Sequence, residues 1–318
     1  MSAALVLTHS GDRTADYLCD RLGGRVPLLR LDTDALPDDL DASFDRGPRL
    51  RAHGREVAPE TVRAVWYRRP GPLRPPGRPA EDPYEEYHRG LEWAEALNGV
   101  LALVPAERWI NHPARNAGAS HKIEQLARAR SLGLHTPRTL VTRDLGRLLD
   151  LWRETDGCVI AKPLASGYLE RDDPSDDTAI YTSALTRADI DDPPDLAGAP
   201  TLFQERIEKR LDVRVTLVDG HAVALGLADL VSETPRLDIR RDEMRGVAYE
   251  PVDLPDDIER GVCDLVASYG LRFAAVDLAV DDDGRWVFFE VNPNGQWAWL
   301  DLVGGAEIWT LFERAFQP

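Results

Sequence analysis

The stretch Phe273-Ala-Ala-Val-Asp-Leu-Ala-Val280, then Asp282-Asp283-Gly284, then Trp286-Val-Phe-Phe-Glu-Val-Asn-Pro-Asn-Gly295 decides the reading of this chain. Two apolar runs joined by an Asp-Asp-Gly turn predict a β-hairpin. Asp277 falls on the first strand, and Glu290 and Asn292 at the end of the second. Residues two apart on a strand share a face, so Glu290 and Asn292 point the same way, and a short turn brings Asp277 across from them. Three oxygen donors on one face suit Mg²⁺, a hard ion that takes a few carboxylates together with phosphate oxygens and water. The competing reading is an edge hairpin with solvated acids. The apolar neighbours Val276, Leu278, Phe289 and Val291 oppose it, as do Pro293, which stops the strand, and Gly295 beyond it.

Upstream of the hairpin, Ile258 to Tyr269 has helical spacing. Val213 to Val218 and Ala222 to Leu227 are apolar runs around Asp219-Gly220, a second hairpin signal. Leu202-Phe-Gln-Glu-Arg-Ile207 is an apolar strand running into a connector, a place where backbone groups and Glu205 could meet an adenine edge or a ribose. Asp212 and Arg214 are two apart and share a face, so Arg214 would point at an anion; a salt-bridged strand face is the equal alternative. Lys162 ends the Cys158-Val-Ile-Ala-Lys162 strand just before Ser166-Gly167. There it could hold phosphate as a point charge while loop amides cover the same group. Standing alone it would be an ordinary exposed lysine, but lysine is scarce here, since most of the 38 basic residues are arginine. Neither GxxxxGK[ST] nor GxGxxG occurs, which argues against a P-loop or a Rossmann dinucleotide site.

The rest of the chain is consistent with a two- or three-domain α/β protein of 318 residues. Ala4 to Leu7, Val26 to Leu31 and Ala64 to Tyr67 read as strands, and Thr14 to Leu22 and Tyr84 to Leu103 as helices. The proline-rich stretch from Pro70 to Pro83 reads as loop. In the middle, His121 to Leu132 is a helix with Gly133 as its C-terminal cap, Leu145 to Arg153 is a second helix, and Ala179 to Thr182 is a partner for the Lys162 strand. From Asp172 to Pro200 the chain reads as a mobile loop or a poorly packed surface excursion, and the acidic run from Glu170 to Asp195 as a solvated surface or, alternatively, an attractor for a basic peptide. Net charge is −17, which disfavours nucleic acid and anionic membranes as partners. No apolar run approaches the length of a membrane span, and the N-terminus lacks the basic n-region of a signal peptide. Three widely spaced cysteines without metal-ligand spacing point to a reducing cytoplasm. No Ser/His/Asp or Cys/His triad can be read, and Trp297 and Trp299 read first as core.

Lys122, Lys162, Gln204-Glu205-Arg206-Ile207, Arg214, Asp277, Glu290 and Asn292 stand in an order and spacing that resemble the ATP-grasp superfamily over residues 111–318. Ile207-Glu-Lys-Arg-Leu-Asp-Val-Arg-Val215, Glu290-Val-Asn-Pro-Asn-Gly-Gln-Trp297 and Trp66-Tyr-Arg-Arg-Pro70 are similar to signatures of the microviridin-type, or graspetide, ligases that mature ribosomal peptides. The resemblance implies an N-terminal pre-ATP-grasp α/β domain (1–110), a central lid domain (111–200) and a C-terminal ATP-grasp domain (201–318). ATP would lie between the last two.

It also implies roles. Asp277, Glu290 and Asn292 would hold Mg²⁺, and Lys122 and Lys162 the ATP phosphates. Gln204, Glu205, Arg206, Ile207 and Asp212 would line the nucleotide, and Ser166 and Gly167 would cover it. Arg214, Lys162 and, in Leu237-Asp-Ile-Arg240, Arg240 would serve the reaction. The implied partner is a ribosomal precursor peptide with leader and core, acted on by a cytoplasmic homodimer. The implied chemistry is acylphosphate activation of Asp or Glu, followed by ω-ester or ω-amide closure onto Ser, Thr or Lys. Two rivals stand beside it: a ligase of free amino acids or one that adds glutamate to a protein, and a catalytically silent nucleotide- or peptide-binding protein.

Overall fold

The computed structural model describes all residues except 1, 46, 166, 170–177, 194, 195, 197, 231–236, 240–245 and 318, and omits the side chains of 168, 169 and 179. Ser166 and Arg240 therefore lie outside the described residues, as does much of the acidic run.

The first part of the chain contains β1 (Ala3–Thr8), α1 (Arg13–Leu22), β2 (Leu28–Asp32), β3 (Asp41–Phe44), β4 (Pro48–Ala52), β5 (Arg55–Val57), β6 (Val62–Tyr67), α2 (Pro83–Leu101) and β7 (Trp109–Ile110). Strands β2-β1-β6-β7 form a parallel sheet. Helix α1 starts at Asp12, whose buried carboxylate accepts from the Thr14 and Ala15 amides. The antiparallel β3-β4-β5 sheet was not legible in the sequence. Its strands are short and arginine-rich, and only Leu50, Ala52 and Val57 mark a buried face.

The middle part contains α3 (Pro113–Gly118), α4 (Lys122–Ser131), β8 (Thr139–Thr142), α5 (Leu145–Glu154), β9 (Val159–Lys162), β10 (Tyr168–Leu169), β11 (Thr178–Ala179), β12 (Ser183–Ala184), α6 (Arg187–Asp191) and β13 (Thr201–Glu205). Gly133, with φ 84°, follows α4 as a left-handed residue should. One expectation changes here. Ala179 pairs with Tyr168, and the Lys162 strand β9 is flanked instead by β12 (Ser183 opposite Ala161) and β13 (Leu202 opposite Lys162). Two small residues further along the chain, Ser183 and Ala184, supply the edge, which apolar patterning did not mark.

The last part contains β14 (Lys209–Val218), β15 (His221–Asp229), β16 (Val247–Pro251), α7 (Asp256–Ser268), β17 (Phe273–Asp281), β18 (Trp286–Asn292), α8 (Ala298–Gly304) and α9 (Ile308–Ala315). The antiparallel sheet runs β16-β15-β14-β17-β18. Asp219 and Gly220, with φ 49° and 78°, make the turn between β14 and β15; positive φ at both central residues matches the right-handed strand twist.

Strand alternation gives this sheet two destinies. Val213, Val215, Leu217, Ala274, Val276 and Leu278 face a core built with α4 and α7. On the opposite face, Val218, Leu225 and Phe273 pack against Trp66, Trp297 and Phe312, a core shared with the N-terminal sheet and α9. Further along that same face the strands carry Asp212, Arg214 and Asp277 instead, and the surface opens into a cleft.

Candidate active site

The cleft, of about 770 Å³, lies between the β9/β13 sheet and the open half of the C-terminal sheet. Register builds its floor. Arg214 of β14 sits opposite Asp277 of β17, which sits opposite Glu290 of β18, so three charged residues form one row across three strands. Asn292, two residues on, continues the row opposite Ala275. A bulge at Phe289 interrupts the β17–β18 ladder, since Asp277 pairs with Glu290 while Leu278 pairs with Phe288. The extra residue lets Phe289 and Glu290, neighbours in sequence, both face the cleft.

The chain contains three lysines, Lys122, Lys162 and Lys209, and all three line this cleft. The Lys162 ammonium stacks over the Phe289 ring at 4.9 Å. Burial pulls its pKa down to about 8; Glu290 and Asp238 oppose that, and Lys122 and Lys209 add to it. Lys122, the first residue of α4, donates to the Pro163 carbonyl at 2.8 Å. Lys209 pairs with Asp212 at 2.7 Å, and burial raises the Asp212 carboxyl against that attraction.

Arg214 Nη1 is 3.1 Å from Asp277 Oδ1. That atom is buried and has no hydrogen-bond partner among the described residues, and Arg214 itself lines the cleft. Glu290 is partly buried and makes no hydrogen bond or ion pair among the described residues. Asn292 Oδ1 accepts from the Asn294 amide at 3.0 Å and keeps a lone pair for another partner. These donors fit a divalent cation beside an anion: two carboxylates and an amide oxygen for the metal, an orphaned guanidinium N–H for a phosphate. Among the described residues no three His, Cys, Asp or Glu side chains cluster as a metal site. The set here has only two carboxylates, which leaves coordination positions for phosphate oxygens and water.

Of the residues singled out in the sequence, Lys122, Lys162, Gly167, Glu205, Arg206, Ile207, Asp212, Arg214, Asp277, Glu290 and Asn292 all line the cleft. Gln204 does not. It is 1% exposed, and its amide donates to Thr139 Oγ1 at 2.9 Å, because alternation along β13 turns it away from Glu205. Glu205 accepts from the Arg138 amide at 3.2 Å, and Arg206 pairs with Glu208. Arg69, Lys209, Asp238, Phe289, Gln296 and Trp299 also line the cleft, and sequence reasoning gave none of them a firm role. The scarcity of lysine pointed toward Lys209; for Phe289, no sequence signal distinguishes a bulge. Trp297, by contrast, is fully buried and stacks on Phe312 at 4.9 Å, as a core residue does.

No family model and no curated protein matches the chain. Solved structures do. The macrocyclase MdnC from Microcystis aeruginosa MRC, bound with precursor peptide MdnA, is 26% identical with a TM-score of 0.78, covering 99% of this chain and 98% of that one. This chain has the ATP-grasp fold, the fold of the two ligases that follow. A Chryseobacterium gregarium RiPP-associated ATP-grasp ligase, in complex with ADP and a leader and core peptide, is 24% identical with a TM-score of 0.82, covering 99% and 96%. The ATP-grasp ligase PsnB, complexed with a phosphomimetic variant of minimal precursor, Mg and ADP, is 22% identical with a TM-score of 0.72, covering 99% and 98%. The ATP-grasp likeness extends over the N-terminal sheet as well as residues 111–318.

Proposed function

We propose that this chain is an ADP-forming ATP-grasp ligase that macrocyclises a ribosomally made precursor peptide. The observation that carries the reading is convergence. All three lysines, an arginine with an orphaned donor and the Asp277–Glu290–Asn292 row meet in one cleft, in a fold whose neighbours include a macrocyclase with its precursor.

In this reading Asp277, Glu290 and Asn292 hold Mg²⁺, which supplies charge neutralisation at the phosphates. Lys122 and Lys162 hold phosphate oxygens, and Glu205 with the backbone near Ile207 meets the adenine. A peptide Asp or Glu carboxylate oxygen attacks the γ-phosphorus of ATP, releasing ADP and leaving an acylphosphate. A Ser or Thr hydroxyl, or a Lys amine, of the same peptide then attacks the acyl carbon. Phosphate leaves, and an ω-ester or ω-amide closes the ring. Lys162 and Arg214 stabilise the charge that develops on the transferred group, which is where positioned cations act most strongly. The division into units 1–110, 111–200 and 201–318, a graspetide product, a homodimer and a cytoplasmic setting belong to the same reading. Three free cysteines support the reducing setting. Among the described residues no helix is long and apolar enough to cross a membrane.

The test is mass spectrometry of a candidate precursor, encoded near the gene, incubated with the protein, ATP and Mg²⁺. Loss of one water per ring, absent with Glu290→Gln, is the expected result. ADP release only with free amino acids would move the assignment to a small-molecule ligase.

A further inference from the structure

Arg68 and Arg69 leave β6 side by side and meet the same loop in different ways. Arg68 is fully buried, and both terminal nitrogens of its guanidinium are engaged, while Nε makes no hydrogen bond among the described residues. Nη1 donates to the Asn294 carbonyl, Nη2 donates to Gln296 Oε1 at 2.7 Å, and Nε lies 3.4 Å from Asp12 Oδ2. Arg69 turns to the cleft wall, which Asn292, Gln296 and Trp299 also line. Its Nε and Nη2 both donate to one neutral acceptor, the Asn294 carbonyl, at 3.3 and 3.1 Å. Among the described residues it has no carboxylate within ion-pair distance. A partly buried guanidinium facing a cleft with one carbonyl for company has lost water without gaining a counter-charge. Burial accordingly lowers its pKa, with the Asp12 charge opposing.

Position along the strand says which anion would complete it. Lys162 stands over Phe289, whereas Arg69 grips Asn294, beyond the strand end. At the rise of a β-strand, three steps of backbone from Phe289 to Asn292 span at most about 10 Å, and Asn294 lies beyond them. Glu290 and Asn292 lie between. The lysines therefore mark one end of the row and Arg69 the other.

We propose that Arg69 is the receptor for the carboxylate that the protein activates, an Asp or Glu side chain of the peptide substrate. The inference rests on the ligase reading above. A carboxylate held there approaches the γ-phosphorus from the side opposite the lysines. One carboxylate oxygen forms the new bond to phosphorus, the bridging oxygen departs with the electron pair on ADP, and no proton moves. The remaining carboxylate oxygen stays on the guanidinium, whose planar fork matches it.

The experiment is carried out on the full-length protein with Mg²⁺ and ADP. Arginines are labelled with phenylglyoxal and mapped by peptide mass spectrometry, with glutarate as the carboxylate probe and glutaramide as its neutral counterpart. Arg69 should be labelled in the free protein, protected by glutarate and not protected by glutaramide. Protection by ADP alone, or equal labelling under all conditions, would overturn the assignment. In parallel, Arg69→Gln should raise KM for a linear precursor that the wild type cyclises by roughly 10- to 100-fold, the loss of one charge-assisted contact, with KM for ATP unchanged and partial recovery in Arg69→Lys. A rise in KM for ATP instead would place Arg69 on the nucleotide and sink the proposal. Cyclisation by the wild type with no effect at Arg69 defeats this inference and leaves the ligase reading intact. Glutarate protection in a protein that never cyclises a peptide does the reverse.

Discussion

Lys162 is the residue at which burial and the proposed phosphate contact meet. Its ordinary pKa of 10.5 falls to about 8 because the ammonium is desolvated and faces Lys122 and Lys209, while Glu290 and Asp238 resist the shift. Bound phosphates would favour the charged form and push the value back up. Between the free and the bound pKa, binding must therefore take up a proton, and nucleotide affinity should fall as pH rises above about 8. Calorimetry of ADP·Mg binding in buffers of different ionisation enthalpy reads this directly. Uptake near pH 8.5, absent in Lys162→Met, is expected; binding without proton uptake would refute it. Glu290 gives a second expectation at this scale. Glu290→Gln keeps the volume and removes the charge, so ADP release should drop by about 100-fold or more while the thermal midpoint holds. Unchanged turnover would remove Glu290 from the site. Both residues were legible in the sequence, one as a strand-end lysine and one by its i, i+2 relation to Asn292. Their neighbour Phe289 was not, because a bulge depends on what the partner strand does.

At the scale of the element, the exit of β18 matters most. Asn292 caps the turn through its bond to the Asn294 amide, and Gly295 then runs against β17. A Cβ at Gly295 would stand 2.2 Å from the Ala275 Cβ, so no other residue fits without moving the strand or the loop. Gly295→Ala should cost about 1–3 kcal/mol in denaturant unfolding, as overpacking does, and should weaken Mg²⁺-dependent ADP binding because Asn292 shifts with the loop. Loss of stability with unaltered ADP binding would show that Asn292 does not act as a ligand. Arg68 holds the same loop from the N-terminal side. Replacing it with Met leaves Asp12 buried without its cation, for a cost of about 3–5 kcal/mol. A change within about 0.5 kcal/mol would show that the buried pair is dispensable.

At the scale of the whole molecule, the N-terminal and C-terminal parts share one core. Trp66 lies 5.0 Å from Phe312 and 6.4 Å from Trp297, and Phe273 lies 5.5 Å from Phe312. Asn111, fully buried, ties the junction through bonds to the Phe273 and Pro293 carbonyls. Phe312→Ala should cost about 3–5 kcal/mol, and both parts should unfold together. Two separate transitions, probed by tryptophan fluorescence and by nucleotide release, would show that the parts are energetically independent. Helix α4 makes the same point on the other face. It opens the middle stretch of sequence, yet Leu126 and Ala129 pack with the C-terminal sheet, and Gln125 bonds to Val291 in both directions.

Local pattern was enough for the longer apolar strands, for helices α1, α2, α4, α5 and α7 and for the two hairpins, because apolar periodicity and turn residues act within a few positions of themselves. It was also enough for the Asp277, Glu290 and Asn292 row, whose members lie on adjacent strands of one short hairpin. Tertiary structure was needed wherever a side chain's role depends on a distant partner. Gln204 turned out to be core because β8 covers its side. Arg68 became a buried clamp because the β18 exit loop closes over it. Arg69 reached the cleft because two sheets more than 200 residues apart in sequence share a wall. A strand's period fixes which residues share a face, but only packing fixes what that face meets.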